Sequence, residues 1–185
     1  KVCNRFKLNY YLPMSNLLII SSTKKSNYEL SKVIRDYLEN KKSLSCKVIS
    51  LEDFDLPLYT PTLESFYKKD NTFPENIQKS KELICSSTAL IWCSPEYNGG
   101  ISPIVTNAIA WISRATEDWK EGFKDKHSLI CTSSGGNGKN FIEGFRIQLS
   151  YLGSIVFERS LIQTNAKKID ETDFSSVLDS FCEKI

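Results

Sequence analysis

Residues 88–100 read TALIWCSPEYNGG and contain the features that decide the fold. The first six residues predict a strand that is apolar on both faces, which is typical of a central strand in a parallel sheet. A polar turn with two glycines follows, and apolar residues at helical spacing then predict a helix over 102–114. A buried strand that passes through a short loop into a helix is the repeating unit of α/β proteins.

The rest of the chain repeats this unit without internal repeats or low-complexity tracts. Besides 88–93, short β-rich runs predict strands at 16–21, 46–51, 127–132 and 154–157. Longer amphipathic runs predict helices at 27–42, 74–86, 140–152 and 173–183, and residues 53–73 read as irregular. Five strands separated by helices predict a doubly wound α/β sheet, and right-handed crossovers place helices on both of its faces.

Composition excludes several classes of partner. The 24 basic and 22 acidic residues among 185 give a net charge of +2, so there is no strong field to attract nucleic acid or an anionic membrane. The longest apolar runs, 17–20 and 89–93, are far shorter than the roughly 18 residues of a membrane-spanning helix. We therefore expect one domain at 14–185, preceded by an extension at 1–13, with no nucleic-acid or membrane partner.

The six cysteines are widely scattered and form no C-x-x-C pair. Most of them lie among apolar neighbours, which favours reduced, buried thiols over a disulfide framework. Reduced thiols predict a cytoplasmic protein. A single histidine and unclustered thiols also offer no ligand spacing for a metal ion.

Three predicted loops that follow strands are unusually rich in small and polar residues: the first loop (21–27), the second loop (94–100) and the third loop (133–138). In doubly wound sheets, ligands bind beyond the carboxyl ends of the strands, where the strand order reverses. We therefore expect the three loops to converge on one pocket.

The first loop, SSTKKSN, brings hydroxyls, an amide and backbone N–H groups to the amino end of a predicted helix. This combination suits a phosphate dianion through hydrogen bonds and the helix dipole. On this loop alone, an equally good interpretation is that Asn27 and the serines only cap the helix while the lysines are solvated.

The second loop, SPEYNGG, combines a stiffening proline with glycines that allow a close approach of the main chain to a flat ligand. The third loop, SSGGNG, can lie against a ring and offer N–H donors. It is not a Walker A loop, because Ser133 stands where the first glycine belongs and Asn140 where a Ser or Thr must reach magnesium.

The SPEYN stretch at 94–98 is followed by Pro103, Asn107, Ala108, Ile109 and Trp111. A second pattern comprises Gly135-Gly136, Phe145-Arg146, Leu149, Leu152-Gly153 and Val156. In both order and spacing, residues 15–157 resemble the NADPH-dependent FMN reductases, a family that includes quinone, chromate and azo-dye reductases. The resemblance implies a flavodoxin-like three-layer sandwich, with a five-stranded parallel sheet of order 2-1-3-4-5 between helices.

The resemblance also implies FMN as cofactor and NADPH or NADH as reductant. The hydride would pass to N5 of the flavin, so no side chain need act as a catalyst. The phosphate would lie at the first loop, the ring and ribityl chain at the second, and the polar edge of the ring at the third. The implied cofactor-binding residues are Ser22, Lys24, Ser26, Asn27, Pro95, Glu96, Tyr97, Asn98, Gly99, Ser133, Gly135 and Gly136.

The implied activity is an NAD(P)H oxidoreductase that reduces a small acceptor, such as a quinone or a flavin, in a ping-pong cycle. The implied assembly is a homodimer or tetramer. Three positions depart from the family's usual residues: Ser21 replaces Gly in the first loop, Thr106 replaces Lys, and Ala110 replaces Asp.

Two alternatives stay open from the sequence. A flavodoxin-like electron carrier or regulatory flavin binder would share the fold without being an enzyme, although the charge of +2 is unlike that of the acidic carriers. A nucleophilic pair of Cys93 and His127 is conceivable, but both residues read as sheet core and no orienting group is identifiable.

Overall fold

The computed structural model describes residues 16–69 and 72–185. The predicted extension at 1–13 lies outside the described residues, as do residues 14 and 15 of the predicted domain. The domain boundary therefore stays a prediction.

Seven strands and six helices follow one another along the described chain. The strands β1 to β7 are Leu17–Ser21, Cys46–Ser50, Ala89–Cys93, Glu96–Tyr97, Gly100–Ile101, His127–Ser134 and Ile155–Thr164. The helices α1 to α6 are Ser26–Lys42, Pro61–Lys69, Glu75–Cys85, Pro103–Arg114, Lys139–Tyr151 and Glu171–Cys182. In the parts of the chain that the structure describes, no helix has the length and apolar character needed to cross a bilayer.

Five strands form one parallel sheet in the order β2-β1-β3-β6-β7. Numbered without the short antiparallel hairpin β4–β5, this is the predicted order 2-1-3-4-5, which is confirmed. The order reverses between β1 and β3, and in sheets of this kind ligands bind beyond the carboxyl ends of the strands at such a reversal.

Two apolar layers cover the two faces of the sheet. Alternate residues of β1, β3 and β6, such as Leu18, Trp92 and Ile130, pack with α3, α4 and α5. The residues between them, such as Ile19 and Cys131, pack with α1 and α6. This alternation produces the predicted three-layer sandwich, because successive side chains of a strand point to opposite faces.

Strand β7 is longer than the four residues predicted, and it contains a bulge. Val156 pairs with Ser128 and Ser160 with Ile130, so three residues of β7 lie opposite one residue of β6. Arg146 on α5 donates hydrogen bonds to the carbonyls of Phe157 (2.7 Å) and Glu158 (3.1 Å) in the bulge. The arginine of the second family pattern therefore supplies donors to backbone acceptors that the sheet ladder leaves unpaired.

The prediction that residues 53–73 are irregular is wrong for the α2 segment. Thr60 accepts a hydrogen bond from the backbone N–H of Leu63 (3.1 Å), and Pro61 occupies the first helical position. A threonine cap followed by proline is a normal start of a helix. The many aromatic residues and prolines around this start obscured it in the sequence.

We predict that Arg146→Ala lowers the free energy of unfolding by about 1–3 kcal/mol, because it leaves bulge carbonyls without their charged donor. The matched control is Arg159→Ala, which removes an exposed ion pair with Asp173 (2.7 Å) and should have a much smaller effect. Urea denaturation measures both. Equal losses for the two variants would contradict the role given to Arg146.

Candidate functional site

The three loops lie at the carboxyl edge of the sheet, where backbone hydrogen bonds continue the strand ladder. The N–H of Ser22 in the first loop donates to the carbonyl of Cys93 (2.9 Å). The N–H of Ser94 in the second loop donates to the carbonyl of Cys131 (3.1 Å). These bonds fix the starts of the first and second loops side by side across β1, β3 and β6.

Asn27 links the first loop to the third. Its side-chain amide donates to the carbonyl of Ser133 (2.8 Å), and its Oδ1 accepts from the N–H of Ser133 (2.8 Å). Asn27 is 1% exposed. The expectation that Asn27 caps α1 is wrong, because the residue in the cap position is Lys25 and no side chain bonds there.

Glu96 links the second loop to the third and to α5. Its backbone N–H donates to Ser134 Oγ (2.8 Å), and its Oε2 accepts from the N–H of Phe141 (3.1 Å) in the first turn of α5. A carboxylate at the amino end of a helix is stabilised there by unpaired N–H groups and the helix dipole. Together with Asn27, Glu96 makes the three loops one connected unit.

The hydroxyl of Ser22 is buried without a partner. Ser22 is 1% exposed, and its Oγ has no hydrogen-bond partner among the described residues. By contrast, the neighbouring Ser21 Oγ donates to the carbonyl of Thr23 (2.6 Å). A buried hydroxyl is normally satisfied, so an orphaned one just before the amino end of α1 points to a ligand.

Residues 21–25 all have negative φ angles, so the first loop closes without a glycine conformation. The replacement of the family's glycine by Ser21 is therefore compatible with the turn.

Lys24 turns towards the loop after β2. Its ammonium group pairs with Asp53, and its backbone N–H donates to Glu52 Oε2 (3.0 Å). The hydrogen bond that Lys24 donates to Asp53, together with the negative charge of Asp53, raises the pKa of Lys24 above its usual value. Both side chains are half exposed, so solvent screens this pair.

The second loop contains a hairpin that the sequence interpretation missed. Asn98 (φ 51°) and Gly99 (φ 70°) form the tip between β4 and β5, and two positive φ angles in succession define a type I′ turn. Asn-Gly is the strongest short-range signal for such a hairpin. Pro95 is buried beneath it, whereas Tyr97 is 49% exposed.

The third loop offers open backbone at its centre. Ser133 is fully engaged, since its Oγ also accepts from Gln163 Nε2 (3.3 Å). Gly136 has no atom within 4 Å of the position a Cβ would take, and the nearest atom at Gly135 is 3.7 Å away. These two glycines leave space for a flat group to contact the main chain.

Two residues of the SPEYN-associated pattern, Asn107 and Trp111, hold the segment before α2. Asn107 accepts from the N–H of Tyr59 (2.7 Å) and donates to the carbonyl of Pro57 (3.0 Å), to which Trp111 Nε1 also donates (2.6 Å). The sequence alone gave these residues no role. Their side chains bond to backbone groups, which every residue type carries. The residue types in the sequence therefore could not reveal this role.

Cys93 and His127 cannot act as a nucleophilic pair. His127 lies opposite Ala89, and Cys93 lies opposite Cys131, at the other end of the β3–β6 pairing. Four residues of strand separate the two positions by about 13 Å. Burial, with the contact to Cys93, raises the pKa of the Cys131 thiol well above its usual range, so this thiol is also not a ready nucleophile.

The five cysteines of the described chain are unpaired, and Cys93 and Cys131 are buried. Within residues 16–69 and 72–185, no group of three His, Cys, Asp or Glu side chains could hold a metal ion.

The sheet order and the three hydrogen-bonded loops at its carboxyl edge define a flavodoxin-like α/β protein. Residues 14–168 match the NADPH-dependent FMN reductase family, and the chain belongs to that family of oxidoreductases, which use FMN with NAD(P)H as reductant. This confirms the resemblance drawn from the SPEYN stretch.

Solved structures show the same fold. The chain superposes on FerB, a flavoenzyme NAD(P)H:(acceptor) oxidoreductase from Paracoccus denitrificans, with a TM-score of 0.72 and 21% identity over 91% of this chain and 96% of that one. A flavodoxin from the domain Archaea superposes with a TM-score of 0.58 and 14% identity, covering 91% of this chain and 97% of that one.

Curated relatives match over shorter stretches. An NAD(P)H-dependent FMN reductase of Pseudomonas aeruginosa is 34% identical over 89 residues, which are 48% of this chain and 44% of that protein. An NADPH:quinone oxidoreductase of Arabidopsis thaliana is 31% identical over 83 residues, 45% of this chain and 38% of that protein. The matched part of the chain thus spans about two fifths of these relatives.

We predict that Gly138→Ala destabilises the protein by about 1–2 kcal/mol from its φ of +69° alone. A further loss follows because the new Cβ would lie 2.7 Å from Thr132 Cγ2. Gly136→Ala, in open space in the same loop, should change the free energy of unfolding by no more than about 0.5 kcal/mol. Urea denaturation of the two variants tests this, and similar losses would show that the third loop is not held at Gly138.

Proposed function

We propose that this protein is an FMN-dependent NAD(P)H oxidoreductase that passes reducing equivalents to a small acceptor, of the quinone or flavin type, in a ping-pong cycle. The observation that carries the proposal is the orphaned hydroxyl of Ser22. It is buried four residues before the 17-residue helix α1, which Asn27 joins to the third loop, and Glu96 in turn joins the third loop to the second.

The residues present fit FMN. Ser22 Oγ, the hydroxyl of Ser26 and the free N–H groups at the start of α1 would hold the phosphate. Tyr97 and the open backbone at Gly135 and Gly136 would contact the ring. When bound, FMN supplies the atom that accepts hydride and the store of two electrons, chemistry that no side chain provides.

Four other residues of the implied site already have protein partners. Asn27 and Ser133 bond to each other, Glu96 caps α5, and Lys24 pairs with Asp53. We propose that they act by holding the loops in place, while Pro95, Asn98 and Gly99 set the shape of the hairpin. Donors fixed before the reaction stabilise developing negative charge without reorganising, which is the main electrostatic contribution a protein can make.

The names of two relatives support a quinone or a flavin as the acceptor, since one is a quinone oxidoreductase and the other an FMN reductase. The competing function is a non-enzymatic electron carrier, since a flavodoxin shares the fold. The net charge of +2 and the SPEYN loop favour the reductase. The scattered cysteines, unpaired where described, support the proposal that it works in the cytoplasm.

We predict that Ser22→Ala weakens FMN binding by about tenfold, the effect of one lost hydrogen bond to a charged group. Its unfolding midpoint without flavin should stay unchanged, because the hydroxyl has no partner to lose. Ser80→Ala, which removes a buried hydroxyl bonded to Ile77 on α3, is the control for FMN affinity.

FMN titration by fluorescence quenching measures the affinities, and NADPH oxidation with and without a quinone tests the reaction. Ping-pong kinetics require parallel lines in double-reciprocal plots. Failure of the wild type to bind FMN, or to oxidise NADPH faster with an acceptor, would contradict the proposal.

We further propose that α2 forms part of a homodimer interface. No residue of α2 is buried, although the helix is amphipathic. Leu58 and Phe66 are 78% and 65% exposed, and with Leu63 they line a shallow apolar depression of about 540 Å³. Exposed apolar surface of this kind marks interaction sites, and the Asn107–Trp111 hydrogen bonds hold the segment before it in place.

We predict that Phe66→Glu converts a dimer into monomers of 21.1 kDa, because a carboxylate cannot be buried unpaired in an apolar interface. Ile147→Glu changes an equally exposed apolar residue on α5, 72% exposed, and should leave the dimer intact. Light scattering after gel filtration gives both masses. A monomeric wild type would refute the proposed dimer, and dissociation by Ile147→Glu alone would place the interface elsewhere.

A further inference from the structure

We infer that Asn27 is a positioning residue that fastens the start of the third loop, where Ser133 and Ser134 end strand β6, to the first loop, and that it is not a ligand of the phosphate. This inference rests on the proposed flavin site and assigns a different role to one of its residues.

Asn27 uses both the NH2 group and the carbonyl oxygen of its side-chain amide. The two hydrogen bonds between Asn27 and Ser133 are both 2.8 Å long and reach across 106 residues of sequence. They satisfy the N–H and the C=O of one residue, so Asn27 pairs with Ser133 as a neighbouring strand would. An amide is the side-chain group that offers a donor and an acceptor in one plane with this spacing.

Because Asn27 and Ser133 are both buried, loss of their hydrogen bonds would be costly. Asn27 is 1% exposed and Ser133 is 7% exposed. Removing the amide would leave a buried N–H and a buried C=O unpaired, and the loop would have to move to reach water. The remaining polar contacts are also internal, since the carbonyl of Asn27 accepts from Ser31 Oγ (2.8 Å) and Ser133 Oγ accepts from Gln163.

The Asn27–Ser133 pairing lies between the proposed positions of two parts of one ligand, the phosphate and the ring. Asn27 lies in the first turn of α1, where the phosphate would bind, and Ser133 is two residues before the open Gly135, where the ring would lie. Because Asn27 fixes the distance between these points, the third loop is held ready for the ring before any ligand arrives. Such preorganisation raises affinity by lowering the ordering cost of binding.

Riboflavin separates this role from that of a phosphate ligand, since it has the ring and ribityl chain but no phosphate. We propose titrating the full-length, flavin-free protein with FMN and with riboflavin. The variants are Asn27→Ala, the isosteric Asn27→Asp, and Ser31→Ala as a control that removes a buried hydroxyl bonded to Asn27 itself. Thermal unfolding and circular dichroism without flavin accompany each titration.

The expected result is that Asn27→Ala weakens FMN and riboflavin by a similar factor of about ten, which corresponds to about 1.4 kcal/mol. Asn27→Asp keeps the shape but sets a carboxylate oxygen against the Ser133 carbonyl, so it should weaken riboflavin as much as Asn27→Ala does. Ser31→Ala should leave both affinities near the wild-type values.

Four outcomes would overturn the inference. They are a loss of FMN affinity alone, no loss for either ligand, an equal riboflavin loss in Ser31→Ala, and a wild type that binds FMN but no riboflavin. A wild type that binds neither flavin would instead refute the proposed function, so the two failures are distinguishable.

Discussion

Strands β1 and β3 pair in parallel over five residues, from Leu17 opposite Ala89 to Ser21 opposite Cys93. Both strands are buried along their whole length, so their backbone groups have no access to water and must remain paired. The chain leaves these two strands in opposite directions across the sheet, and their helices α1 and α4 cover opposite faces. The position of the first and second loops side by side at the carboxyl edge is a direct result of that pairing.

Local pattern was sufficient to predict the sheet and the grouping of the three loops at one edge, whereas the strand order 2-1-3-4-5 came from the family resemblance. Apolar runs mark the buried strands, and small polar residues mark the loops, so these features depend on residue type alone. The α2 helix and the Asn98–Gly99 hairpin were missed although Thr60-Pro61 and Asn-Gly are recognisable signals. Both signals are short and lie within stretches rich in proline and aromatic residues, so neither is accompanied by a long apolar pattern.

The partners of polar side chains could not be predicted in the same way. Ser22, Asn27 and Glu96 are equally suited by type to contact a ligand or to contact the protein. Only the fold shows that Asn27 and Glu96 are occupied by backbone groups while the Ser22 hydroxyl is not. The difference has a physical basis, because a buried polar group without a partner is unfavourable. Trp92 Nε1, Ser102 Oγ and Gln148 Oε1 also lack a partner among the described residues, so it is the place of Ser22 before α1, at the carboxyl edge of the sheet, that makes its hydroxyl a candidate binding position.

The bulge in β7 also bears on how this protein can associate with itself. In the described sheet β7 is an edge strand, and its ten residues would be long enough to add a strand from another molecule. The bulge, with Arg146 bonded to its carbonyls and Arg159 paired with Asp173, breaks the regular row of donors and acceptors that such an addition needs. Addition of a strand from another molecule, and with it open-ended growth of the sheet, is thereby disfavoured at this edge.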